Sequence, residues 1–72
     1  MTQETQRKFI LYLHQKYKIH YKTIAEDIGI SKSYLSMWLN NQRKFATSKY
    51  YKMLDYCTQM QNQFGIERDD YM

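Results

Sequence analysis

A chain of 72 residues forms one domain, and one this short removes only about 60% of its unfolded surface from water, so its stability is modest. Its formal charge of +4 and pI near 9.2 exclude a basic partner and make nucleic acid or another anionic surface the expected one. A hydrophobic fraction of 43% with eight tyrosines excludes a disordered chain, and the lone Cys57 excludes an internal disulfide and fits a reducing cytoplasm. No apolar run approaches the roughly 20 residues of a membrane span, and the opening MTQETQRK has no apolar core of the kind a secretory leader carries.

Proline is absent and glycine occurs twice, which favours an all-α fold, a compact bundle of about four helices. The first helix is expected from 2 to about 18. Thr2 can cap it, and Glu4 suits the positive end of its dipole. Phe9, Ile10, Leu13 and Tyr17 share one face, and Leu11 lies roughly opposite. The run 9–13 also reads as a short buried strand, but its length and polar flanks favour the helix. Ile19 and His20 lead into a second helix, 21–28, with Ile24, Ala25 and Ile28 on its apolar side. Gly29 can take positive φ without strain and turn the chain, Ile30 points back inward, and Ser31 caps a third helix, 32–39. Leu35, Trp38 and Leu39 form the buried stripe of that helix, with Trp38 the anchor onto the second and fourth helices. Lys32, Ser33, Ser36, Met37 and Asn40 face out.

A loop, 40–46, leads to a fourth helix from Thr47 or Ser48 to about Phe64. Tyr50, Met53, Leu54, Cys57, Met60 and Phe64 occupy an arc of about 120° on it, and Tyr51 and Tyr56 lie off that arc. Gly65 suits the C-cap. The remaining IERDDYM is acidic and aperiodic, so a domain at 1–64 and a tail at 65–72 are expected.

The outward face of the third helix is small, polar and free of acid, as a helix entering the DNA major groove requires. Through Ala25, Gly29, Ile30, Leu35 and Trp38, the stretch 21–40 resembles the helix-turn-helix of the phage repressor and Cro-like (XRE-type) DNA-binding proteins. The run Trp38 to Lys44 resembles the family's polar, basic loop after the recognition helix. It departs from the family in carrying Asn41 where a glycine is common, a mild change because asparagine also tolerates the left-handed conformation. The resemblance implies a cytoplasmic, sequence-specific regulator of phage, plasmid or bacterial origin that binds double-stranded DNA, a repressor acting by operator occupancy.

On this reading Lys32, Ser33, Ser36 and Met37 read base edges. Arg43 and Lys44 contact phosphate beside the recognition helix, Tyr21 and Lys22 do so at the start of the second helix, and Ser31 and Asn40 are weaker phosphate candidates. The basic charge lies in the same half of the chain. Residues 1–20 carry four basic and one acidic side chain and residues 21–49 five and two, whereas 65–72 carry one and three.

Catalytic and metal chemistry find no support. His14 and His20 are six apart, which suits no ligand pair on one helix face, and a single cysteine gives no zinc spacing. Glu26 and Asp27 are neighbours that point about 100° apart, and Ser31, Ser33 and Ser36 have no evident base. No enzyme, metal or cofactor is expected.

One recognition helix reads few base pairs, so a homodimer, at least on DNA, is expected. Its interface is sought in Tyr56, Phe64 and Ile66, with Leu11 as the second possibility. The alternative class is a small helix-turn-helix adaptor or inhibitor that binds a protein partner. An acidic or apolar outer face on the third helix would favour it, and Lys32, Arg43 and Lys44 favour DNA.

Overall fold

Four helices, α1 (Gln3–Tyr17), α2 (Tyr21–Ile28), α3 (Lys32–Leu39) and α4 (Thr47–Phe64), precede a 3-10 turn at Arg68–Asp70. The computed structural model describes residues 1–72. The helix bounds match the sequence expectation to within one residue because the ends carry local signals. Thr2 Oγ1 accepts the Thr5 amide at 3.1 Å and starts α1. Gly29, at φ 75°, ends α2, and Ser31 Oγ accepts the Tyr34 amide at 3.0 Å to open α3. Asn41 stands at φ 62°, so asparagine does take the left-handed conformation in the loop after α3. Gly65, at φ 64°, closes α4.

α2 packs on α3, and α4 packs on both α1 and α2. The core between them is Phe9, Ile10 and Leu13 from α1, Ile24 and Ala25 from α2, Leu35 and Trp38 from α3, and Met53 and Cys57 from α4. Burial pushes the Cys57 thiol up to about 12, so it is protonated and inert at neutral pH.

Three expectations need correction. Tyr56 is buried, at 5% exposure, because α4 is covered by α2 as well as by α1, which widens its buried arc. The segment 65–72 does not stand apart. Ile66 is 6% exposed, Tyr71 meets Phe9 edge-on at 5.0 Å between ring centroids, and the Glu67 and Asp70 side chains cap the turn between them. Phe64 is half-buried, stacked on Tyr17 at 4.3 Å. Tyr56 and Ile66 are therefore part of this chain's own core and unavailable as an interface. Leu39, expected in the buried stripe, is only half-buried. The expectation that Leu11 and Tyr51 lie outside the core holds, at 39% and 57% exposure.

Candidate nucleic-acid interface

The outward arc of α3 is built from Lys32, Ser33 and Ser36, all exposed, and Met37, half-buried. At about 100° per residue these span roughly 140° of the helix. One flank of the arc meets α1 and the start of α2. There Lys32, Ser36 and Asn40 line a cleft of about 250 Å³ with Tyr21, Leu11 and Leu39. A neighbouring cleft of about 340 Å³ gathers Lys22, Tyr21 and Lys32 with Thr23, His14 and His20. The fold thus brings Tyr21, Lys22, Lys32, Ser36 and Asn40 onto one continuous surface. Burial pushes the Tyr21 phenol above its usual range, so the hydroxyl remains a donor at neutral pH.

The other flank is the loop after α3. Arg43 lies over the Tyr34 ring, 4.7 Å from its centroid, and the Tyr34 hydroxyl donates to the Lys44 carbonyl at 3.3 Å. Arg43 and Lys44 are exposed, but the backbone beneath them is held. Ser31 is exposed, and its oxygen already serves as the cap of α3.

The loop is held from beneath by residues the sequence reading passed over. Gln3 Oε1 accepts both the Trp38 indole N–H at 3.0 Å and the Phe45 amide at 2.9 Å. Arg7 donates through Nε to the Trp38 carbonyl at 2.6 Å and through Nη2 to the Arg43 carbonyl at 3.3 Å. Phe45 is buried and stacks on Trp38 at 4.3 Å and 14°. Trp38 is fully buried, as expected of an anchor, but its polar and stacking partners come from α1 and the loop, not from α2 and α4. An aromatic in the run KFAT was the one available signal for Phe45. Gln3 and Arg7 gave none, since glutamine and arginine on a helix ordinarily mark a solvated face.

A helix-turn-helix family model matches residues 12–57, from the middle of α1 into α4. The chain belongs to the XRE-type, Cro/repressor-like helix-turn-helix family. This is a family of DNA-binding transcription regulators, and the match covers α2, the whole outward arc of α3 and the loop after it. No curated protein and no solved structure matches the chain. No helix of this helix-turn-helix protein is long and apolar enough to cross a membrane.

Proposed function

We propose that this helix-turn-helix protein is a sequence-specific repressor that occupies an operator with α3 in the major groove. The observation that carries the reading is the acid-free outward arc of α3, flanked on both sides by groups suited to phosphate. Lys32, Ser33, Ser36 and Met37 read base edges. Arg43 and Lys44 on one flank, and Tyr21, Lys22, Ser31 and Asn40 on the other and at the helix ends, fix the register on the backbone. Arg43 and Lys44 suit this role because Tyr34, Arg7 and Gln3 have already ordered their loop, so little entropy is lost when phosphate is met.

The protein acts as a homodimer on a two-fold site. With Tyr56 and Ile66 in the core, the apolar surface for pairing is sought in the groove where Leu11 and Met72 are exposed beside Tyr12 and Tyr71, Tyr51 being exposed on α4 outside it. Lys8 and Asp70 line the same groove, so a two-fold axis that sets Lys8 of one copy against Asp70 of the other pairs opposite charges.

Selection of bound sequences from a random duplex pool tests the reading. An enriched palindrome with half-sites about 34 Å apart is expected. If each subunit neutralises about three phosphates, log K for the dimer falls against log salt with a slope near −5. An unenriched pool and a slope near zero would instead favour an adaptor that binds a protein partner.

A further inference from the structure

The chain has two histidines, and both line the cleft of about 340 Å³ at the start of α2. His14 reaches it from α1. Its ring lies flat on Tyr21, 4.0 Å between centroids and 17° from parallel, and its Nδ1 is 2.9 Å from the Ile19 carbonyl. A carbonyl only accepts, so Nδ1 carries a proton and donates it, which leaves Nε2 for a second partner. His20 precedes α2, is exposed, and makes no side-chain bond to the helix it caps. Lys22 of α2 and Lys32 of α3 complete the charged lining, and no carboxylate takes part. The remaining titratable group, Tyr21, is a phenol, neutral at these pH values and raised further by burial.

We infer that this cleft binds a backbone phosphodiester of duplex DNA and couples that contact to proton uptake by His14 and His20, so that operator affinity rises as pH falls. The inference rests on the DNA-binding reading above. Imidazole is the side chain that ordinarily changes charge between about pH 5 and pH 8. A phosphodiester in the cleft is an added negative charge and favours imidazolium. The complex therefore holds more protons than the free protein. The gain in affinity is complete at low pH and is lost as pH rises through the range in which the complex releases them. Each histidine whose proton affinity rises tenfold contributes about a tenfold change in Kd. Cys57, raised to about 12, does not titrate in this window.

The test is a binding titration by fluorescence anisotropy on a selected duplex, at fixed ionic strength, between about pH 5.5 and pH 8. Affinity is expected to fall about tenfold for each linked histidine as pH rises. His14→Gln and His20→Gln should each remove part of that fall, and the double variant should bind with a flat pH profile and, at low pH, more weakly than the wild type. Should His14→Gln fail to fold through loss of its contact with Tyr21, His20→Gln alone must still make the profile shallower. Followed by NMR, the histidine Hε1 titrations should move to higher pH with duplex and much less with inorganic phosphate. Salt-dependent binding with a flat wild-type profile would overturn the coupling and leave the DNA-binding reading standing. A pH dependence that survives in the double variant, or an equal shift with inorganic phosphate, would also overturn it. Absence of DNA binding at every pH would overturn both.

Discussion

The α2–α3 pair and the segment from α4 to residue 72 are stabilised in different ways. In the pair, each turn is fixed by a residue whose own conformation or side chain sets it: Gly29 at φ 75°, the Ser31 oxygen on the Tyr34 amide, Asn41 at φ 62°. The inward faces of its helices fill the core, and the outward arc of α3 keeps its polar groups free. In the later segment α4 starts without a side-chain cap, and much of the order comes from aromatic contacts that reach back to α1, Phe64 to Tyr17 and Tyr71 to Phe9. Local signals place the outward arc of α3, and distant contacts support it.

The sharpest way to break this division is Trp38→Ala. Truncating a buried aromatic costs about 3–5 kcal/mol, a large share of what a domain this size has in total. We expect the variant to be largely unfolded by circular dichroism at 25 °C; a folded variant would mean that Gln3, Arg7 and Phe45 hold the loop without the indole.

Next in size is Ile66→Ala, which should cost about 2–4 kcal/mol in a thermal or urea melt. If 65–72 were a free acidic tail, the midpoint would not move. Folded Ile66→Ala should bind DNA as the wild type does, since Ile66 lies in the core and outside both clefts beside α3.

Within the recognition surface, two variant classes should separate. Lys32→Ala, Ser33→Ala or Met37→Ala should change the preferred bases, at about 1–3 kcal/mol for a good contact. Arg43→Ala or Lys44→Ala should weaken binding to all sequences alike and flatten the salt slope by about one unit. A loop variant with altered sequence preference would place the wrong element in the groove.

The smallest expected effect is at the cap. Ser31→Ala should lower stability by about 1 kcal/mol in a denaturant melt. Little change would mean that the Ser31 oxygen is better placed for phosphate than for the Tyr34 amide.

These two regions were also unequally legible in the sequence. Gly29, Ser31, Asn41 and the spacing of Leu35 and Trp38 fix the α2–α3 pair through interactions within a few residues, which a single sequence displays. The spacing does not place Tyr56 in the core because one helical period describes one buried side, and α4 is covered on two. Gln6 is fully buried and Gln3 half-buried because distant backbone groups receive their amides, the Tyr50 carbonyl at 3.4 Å and the Phe45 carbonyl at 3.2 Å. No spacing rule announces such partners. The outward-facing residues of α3 could be named because exposure on α3 follows from which residues are buried there. The His14 stack on Tyr21 joins two helices across a connection whose path the sequence does not state.

The contacts of Gln3 and Arg7 also set an order of assembly. Gln3 meets Phe45 across 42 positions of chain, and Arg7 meets Trp38 across 31. Such closures are entropically costly and come late, whereas the contacts between α2 and α3 span only a short stretch. Of the elements joined by these contacts, α1 is made before the loop that it clamps, and its Gln3 and Arg7 bonds can form only once that loop exists.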